Sequence, residues 1–275
     1  MTAGVSVVIP TFNEADHIAE VVANARLLGP VFVLDSCSTD GTQGLARQAG
    51  ATVVEHAFEG YATQKNWGLD NLPLEADWVF ILDADERITP ELHREVLTAV
   101  ESDAADGYFI NRVLIFMGTE VRHGGLYPSW NLRLFRRGKC RYEDRIVHEH
   151  MICDGPTKHL KHEMLHIRRE PLEAYIAKHI RYAELEATQW TKQRRGESTA
   201  ARSEQIFQRG LRVRQWVRRN VWHRLPMRSL LRFVFMYFLR LGILDGRAGW
   251  HLAWLMANYE YMIGRFHDEQ MRQRS

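Results

Sequence analysis

Three short apolar runs in the first third of the chain each end on a cluster of polar and acidic residues. Val5-Ser6-Val7-Val8-Ile9 enters Pro10-Thr11-Phe12-Asn13-Glu14, and Val31-Phe32-Val33-Leu34 enters Asp35-Ser36-Cys37-Ser38-Thr39-Asp40. Trp78-Val79-Phe80-Ile81-Leu82 enters Asp83-Ala84-Asp85-Glu86. Continuous apolar runs this short, closed by turn residues, predict strands buried on both faces and therefore parallel. In an open α/β sheet, ligands bind beyond the carboxyl ends of the strands, where the strand order reverses. Three polar clusters on one sheet edge thus describe a site, and the last of them has the form Asp-x-Asp.

At 275 residues the chain is long enough for one large α/β domain and a smaller appendage. The change from alternating strands and helices to helices alone sets these at 1–168 and 169–275. The charge is divided unevenly. Residues 1–106 carry 5 Lys/Arg against 18 Asp/Glu, whereas residues 107–275 carry 31 against 16. A basic second half predicts an anionic partner, such as a membrane surface, a phosphorylated acceptor or nucleic acid; the alternative is a solvated face docked on the acidic half. The three cysteines, Cys37, Cys140 and Cys153, form no C-x-x-C pair. They are expected to be unpaired thiols of a reducing compartment, with no metal framework. No basic segment precedes the first apolar run, which is too short for a signal peptide. Nothing approaches the roughly 18–20 apolar residues of a membrane span, so a cytoplasmic location is expected.

Further along, helices are expected at about 15–28, 41–49 and 90–101, the last opened by Pro90 with Thr89 as its N-cap. Strands are expected at 51–55, 107–116, 131–136 and 163–167, and helices at about 171–195, 199–220, 227–242 and 247–267. In the helix at 227–242, Arg228, Arg232 and Arg240 fall at multiples of four, and leucine and phenylalanine cover the rest. That pattern suits a helix lying in a membrane interface, arginines toward anionic headgroups, with Trp250, Trp254, Tyr259 and Tyr261 at the same boundary. Its alternative is a buried helical subdomain with snorkelling arginines.

Asp83 and Asp85 supply hard oxygen ligands of the kind that hold Mg2+ or Mn2+ together with substrate phosphates. Asp35 ends its strand where a base or ribose can be met, and Thr11, Asn13 and Glu14 frame the other side. Lys65, within Gln64-Lys65-Asn66, can meet a diphosphate. Taken singly, Asp40 and Asn13 are as well explained as helix caps. Arg133 and Arg136, in one predicted strand, offer bidentate contacts to a phosphorylated sugar acceptor. Tyr127 and Trp130 offer flat faces on which a sugar ring can stack.

Val8-Ile9-Pro10-Thr11-Phe12-Asn13-Glu14, Leu34-Asp35-Ser36-Cys37-Ser38-Thr39-Asp40-Gly41-Thr42, Gln64-Lys65-Asn66 and Leu82-Asp83-Ala84-Asp85-Glu86 resemble the successive motifs of family 2 glycosyltransferases. Gly124-Gly125-Leu126-Tyr127-Pro128, Leu132-Arg133-Leu134-Phe135-Arg136-Arg137, Val147-His148-Glu149 and Leu244-Asp245-Gly246 are similar to the branch containing bacterial lipopolysaccharide-core β-1,4-glucosyltransferases. The resemblance covers nearly the whole chain. It implies a GT-A fold: a Rossmann-like, mostly parallel sheet flanked by helices, here with a basic, amphipathic C-terminal helical extension for acceptor or membrane contact. It also implies a UDP-linked sugar donor and a divalent cation. By position, Pro10, Thr11, Asn13, Glu14, Asp35, Ser36, Asp40, Lys65, Asp83 and Ala84 would bind the nucleotide sugar. Gly124 and Gly125 would lie beside the donor sugar. Asp83, Asp85 and His166 would hold the metal.

Glu149 falls where the family places its catalytic acidic residue, with His148 beside it. Many relatives have Glu-Asp there, and a separate Glu143-Asp144 lies just upstream, so the base stands between Glu149 and Asp144. The implied activity is that of an inverting hexosyltransferase, moving glucose from UDP-glucose to a lipid-linked saccharide such as lipopolysaccharide inner core. It would act as a peripheral protein on the inner face of the cytoplasmic membrane. Alternatives are a polyprenyl phosphate, exopolysaccharide or peptide acceptor on the same fold. From another class comes a catalytically silent nucleotide- or nucleic-acid-binding module. Intact Asp83, Asp85 and Glu149 oppose silence, and no nucleic-acid-binding motif is present.

Overall fold

The computed structural model, which describes residues 4–143, 151–168, 172–194 and 227–272, turns the first two apolar runs into β1 (Val5–Thr11) and β2 (Val31–Asp35). Beyond β2 lies β3 (Thr52–Glu55), and the third run becomes β4 (Trp78–Ile81). These four strands are parallel and lie in the order β3-β2-β1-β4. The chain reverses direction across the sheet between β1 and β4, which sets a crevice at their carboxyl ends.

Alternation along the strands explains why both faces are dry. Val5, Val7 and Ile9 pack with Trp78, Phe80 and Leu82 against α1 (Ile18–Ala25), α2 (Thr42–Gln48) and α4 (Pro90–Ser102). Val8, Phe32, Val79 and Ile81 turn the other way, toward α3 (Tyr61–Asn71) and the residues after it. Thr89 caps α4 as expected, its side chain accepting the Leu92 N–H at 3.2 Å, with Pro90 in the first turn. Replacing that one acceptor leaves an orphan donor, so Thr89→Ala is expected to lower stability by about 1 kcal/mol in a urea titration.

The sheet continues past β4 with a mixed sense. β5 (Glu86–Ile88), β6 (Gly107–Phe116), β8 (Trp130–Arg136) and β11 (Thr157–Ile167) extend it in the order β4-β8-β6-β11-β5, and β7 (Thr119–Val121) pairs with β6. β8 is antiparallel to β4 and β6, β11 is parallel to β6, and β5 closes the edge antiparallel to β11. The expectation of a mostly parallel sheet therefore holds for the first half only.

β9 (Cys140–Tyr142) and β10 (Met151–Cys153) form a separate two-stranded sheet. Its register sets Cys140 opposite Cys153, and a disulfide joins them, leaving Cys37 free and exposed. This corrects the expectation of three unpaired thiols: strand register, invisible in the spacing, brings the two together. The inference of a reducing compartment loses that support.

The chain divides into two compact units, one of residues 1–120 and 127–168, the other of residues 121–126 and 169–275. In the second unit α5 (Leu172–Arg194) packs on α7 (Gly246–Arg272) through Ala183, Ala187 and Ile263. The expected helix at 227–242 is in fact α6 (Arg228–Val234), a π-helical turn over Phe235–Leu239, and a 3-10 turn over Gly242–Asp245. The π turn changes the phase of the side chains. Arg228 consequently points inward, 3.8 Å from Glu260 and over the Trp190 ring, and does not share an outer stripe with Arg240. The segment expected as a helix at 199–220 lies outside the described residues. Among those described, no helix is long and apolar enough to cross a membrane.

Candidate active site

The loops leaving β1 and β2 are built on each other. In the ladder Pro10 lies beside Leu34 and Thr11 beside Asp35, and the Ser36 N–H donates to the Thr11 carbonyl at 2.8 Å. Asn13 has a left-handed backbone (φ 54), which an Asn tolerates better than most residues. Its N–H donates to Ser38 Oγ at 2.8 Å, and its side-chain oxygen accepts the Thr39 N–H at 2.9 Å. The Glu14 N–H reaches Thr42 Oγ1, and Asp40 accepts from Ala15 N–H and from both donors of Thr42. These hydrogen bonds hold the Asp40 carboxyl below its ordinary range against the opposing effect of burial. Asp40 and Asn13 thus fasten one loop to the other.

Asp35 is fully buried and accepts the Ser38 N–H, the Ser38 hydroxyl and Gln43 Nε2, at 2.7, 2.6 and 2.7 Å. A carboxylate has about four lone-pair sites, so three donors leave room for one more. Gln64, on α3, donates to Ser36 Oγ at 3.1 Å and to the His56 carbonyl, linking α3 to the same edge.

Charge gathers around the Asp-x-Asp turn. One nitrogen of Arg133, from β8, donates to Asp83 Oδ2 and to Glu86 Oε1, each at 2.6 Å. The other Glu86 oxygen accepts the Asp83 N–H at 3.0 Å, and Arg112 from β6 stands 3.3 Å from Glu86. Lys65, one residue beyond Gln64, lies 3.8 Å from Asp83 Oδ1 and over the Tyr142 ring at 5.0 Å. Burial alone would raise the Asp83 carboxyl, but Arg133, Lys65 and Arg112 hold it far below the usual carboxylate range. Glu86, wholly buried, is pushed up by desolvation and by Asp83 and Asp85, only partly offset by Arg133 and Arg112. Arg133 itself is held charged: desolvation disfavours the cation, and Asp83 and Glu86 outweigh it.

Asp85 is positioned differently. Pairing of β11 with β5 sets His166 opposite Glu86, and the Ile167 N–H donates to the Asp85 carbonyl at 2.7 Å. That register leaves His166 Nε2 2.9 Å from Asp85 Oδ2. Lys65, Asp83, Asp85 and His166, singled out from separate parts of the sequence, therefore meet on one edge. Ala84 is buried between the two aspartates, its carbonyl accepting from Arg87.

Other expected residues have other partners. Arg133 reaches the site, but its guanidinium is engaged by Asp83 and Glu86, which corrects the expectation that it faces an acceptor. Arg136 is paired with Trp78 at the opposite end of β4 and bridges Asp103 and Asp106, so it does not join the site. The two arginines are three residues apart, and a strand's period of two puts them on opposite faces. Tyr127 donates its hydroxyl to Glu163, which also accepts from Asn111 at 3.2 Å, while Trp130 is half-exposed and edge-on to His159. Gly124 and Gly125 belong to the second unit, where the Gly124 N–H donates to the Arg240 carbonyl and the Arg240 side chain lies alongside Gly125. His148, Glu149 and Asp144 lie outside the described residues. Glu86 and Arg112 were not among the expected site residues. Glu86 closes the Asp-x-Asp motif, and that adjacency was the one available signal.

Comparison with known proteins agrees with this architecture. The chain is 31% identical over 194 residues to the lipopolysaccharide core biosynthesis glycosyltransferase LpsC of Rhizobium meliloti, covering 67% of this chain and 70% of that one. It is 26% identical over 206 residues to an uncharacterized glycosyltransferase, RC0292, of Rickettsia conorii, covering 70% and 72%. Among solved structures, a mannosyltransferase of Pyrobaculum calidifontis in complex with GDP-Man and Mn2+ superposes with a TM-score of 0.56 at 18% identity, over 96% of this chain and 86% of that one. At that identity the likeness is one of fold, and the fold is GT-A. The family model for glycosyl transferase family 2 matches residues 6–164, more than half of the sequence, and the chain belongs to that family.

Proposed function

We propose that the protein is a metal-dependent, inverting hexosyltransferase that moves glucose from UDP-glucose to a lipid-linked saccharide such as lipopolysaccharide inner core. It would work as a peripheral protein on the inner face of the cytoplasmic membrane. The observation that carries this reading is the gathering of Lys65, Asp83, Asp85 and His166 on the edge where β1 and β4 diverge. The name of the Rhizobium relative supports the acceptor class, and the GDP-Man and Mn2+ of the Pyrobaculum structure support a nucleotide sugar and a divalent cation.

The residues fit such a cation. Asp85 and His166 bring a carboxylate oxygen and an imidazole nitrogen within 2.9 Å of each other, and the Asp85 carboxylate is partly open to solvent. A Mg2+ or Mn2+ ion at a substrate-phosphate site takes few protein ligands and is completed by the phosphates themselves. Asp85 and His166 would hold it, and when bound it would neutralise charge gathering on the departing diphosphate.

The chain's own groups do the rest. Lys65, its ammonium shared with Asp83, offers a fixed positive charge to the leaving nucleotide. Asp35, with one acceptor position left, takes a base or ribose donor. The Glu149 carboxylate accepts the acceptor's hydroxyl proton as that oxygen forms a bond to the anomeric carbon. The bond from that carbon to the phosphate oxygen breaks, its electron pair leaves with the diphosphate, and attack from the opposite face inverts the centre.

The direct test is thermal-shift screening of nucleotide sugars with Mn2+, followed by mass analysis of a lipid-linked saccharide after incubation. A gain of one hexose with UDP-glucose is expected, and nucleotide binding indifferent to Mn2+ would overturn the mechanism. Glu149→Gln is expected to slow transfer by about 10²–10⁴-fold, the usual contribution of a positioned base. A rate near that of the parent would move the role to Asp144.

A further inference from the structure

The reaction above gives Leu244-Asp245-Gly246 no role, and the second unit joins this motif to the segment His123-Gly124-Gly125. Asp245 lies at the end of the 3-10 turn and is buried. Its carboxylate accepts the Arg122 N–H at 3.3 Å, the His123 N–H at 2.9 Å and His123 Nδ1 at 2.7 Å. A carboxylate accepts, so Nδ1 donates and the ring is fixed in orientation, with Nε2 left over. No described residue bonds Nε2, and the imidazole is about one-third open to solvent, at 36%. A buried acid spent on orienting one half-exposed histidine is the arrangement of a ligand-binding imidazole.

What surrounds this histidine indicates the ligand. The Gly124 N–H binds the Arg240 carbonyl, and the Arg240 side chain lies alongside Gly125, exposed and stacked over the Phe235 ring. No described carboxylate pairs with Arg240. On both sides of Arg240 the chain exposes large apolar side chains: Phe238 at 53%, Leu239 at 72% and Leu244 at 64%, with Leu241 and Ile243 between. Trp250 and Trp254, on α7, are half-exposed. An exposed arginine flanked by exposed apolar side chains, in the same unit as an oriented imidazole, matches an amphiphile whose polar end is a phosphate.

We infer that His123 and Arg240 bind the phosphate of an acidic membrane lipid, with Asp245 as the residue that positions the imidazole and Phe238–Leu244 entering the interface. The inference rests on the membrane-associated reading above and names where contact is made. Lipid phosphate takes its charge-assisted bonds from Arg240 and from the Nε2–H of the His123 imidazolium, with Asp245 as that cation's counter-charge, and the apolar side chains lie among the acyl chains. Arg228, turned to Glu260 and Trp190, has no part in it.

The test uses the full chain in co-sedimentation with vesicles of phosphatidylcholine alone and of phosphatidylcholine mixed with phosphatidylglycerol. His123→Gln and Arg240→Gln are each expected to weaken binding to the mixed vesicles by about tenfold, the scale of one lost charge-assisted bond. Binding to phosphatidylcholine alone should stay as it was. Asp245→Asn should weaken the same binding and shift the His123 Nδ1 15N resonance, which general loosening of the fold would not do. Undiminished binding by both Gln variants would overturn the phosphate site while leaving membrane association standing. Binding of the parent protein to neither vesicle would overturn both. Loss of UDP affinity in His123→Gln, with vesicle binding intact, would assign the imidazole to the donor instead. A concentration-dependent dimer abolished by Leu239→Ser would assign the apolar stretch to a second copy.

Discussion

Arg133→Met is expected to lower the stability of the protein by about 3–5 kcal/mol, the range seen when one partner is removed from a buried ion pair. Arg133 is almost wholly buried and is shared between Asp83 and Glu86 at 2.6 Å each, so its loss removes the shortest ion pair of two carboxylates and leaves Asp83 with Lys65. Glu86 has no access to solvent and would keep the Asp83 N–H at 3.0 Å and, as a cation among the described residues, Arg112 at 3.3 Å. A urea titration should show a lower midpoint with little change in slope. The double variant Arg133→Met/Glu86→Gln should recover part of the loss, because a neutral amide no longer needs the cation.

The gap should also depend on pH. Without Arg133 the Glu86 carboxyl, already raised by burial, rises further, so the folded protein binds a proton that the unfolded chain does not. The variant then loses stability as pH climbs through the window above the ordinary Glu value. Asp83 works in the same direction: its depressed value stabilises the parent protein above the ordinary Asp value, and that contribution fades as pH falls. Parent and variant should therefore converge toward acid, and a gap that widens there would contradict the assignment of these charges.

What could be read in the sequence was what local pattern determines. β1, β2 and β4 were legible because strands buried on both faces leave an unbroken apolar trace, and α4 because Thr89 and Pro90 mark its start. Helix α3 left no such trace. Gly68 interrupts it where it approaches β2, with Leu34 Cδ2 only 2.8 Å from where a Cβ would stand, so close packing there is made by an absence. The charge cluster was illegible for a different reason. Arg133 meets Asp83 across 50 residues and Glu86 across 47, through the antiparallel pairing of β8 with β4, and no spacing rule reports that register. The same holds for Cys140 and Cys153. In the second unit the spacing of the arginines at multiples of four misled, because one π turn rotates Arg240 away from the side on which Arg228 is buried.

Asp85→Asn is expected to reduce transfer by about 10²–10³-fold, the scale of one lost electrostatic stabiliser at a centre where charge develops. The two aspartates of the motif are not equivalent. Asp83 spends its oxygens on Arg133 and Lys65, so its negative charge is already balanced within the protein. Asp85 is the more open carboxylate, with 41% of its side chain exposed against 31% for Asp83, and it lies 2.9 Å from the His166 imidazole. A divalent ion with an incomplete shell would favour that pair over a carboxylate held by two cations. Mn2+ titration in the presence of UDP should therefore show a large loss of affinity in Asp85→Asn, and in His166→Ala about a tenfold to hundredfold loss. Asp83→Asn should act through Lys65 and Arg133 instead, weakening nucleotide binding even without Mn2+. If Asp85→Asn kept the parent's Mn2+ affinity with UDP bound, the pairing of Asp85 with His166 would be a structural link between β11 and the Asp-x-Asp turn, and the cation would have to be held elsewhere.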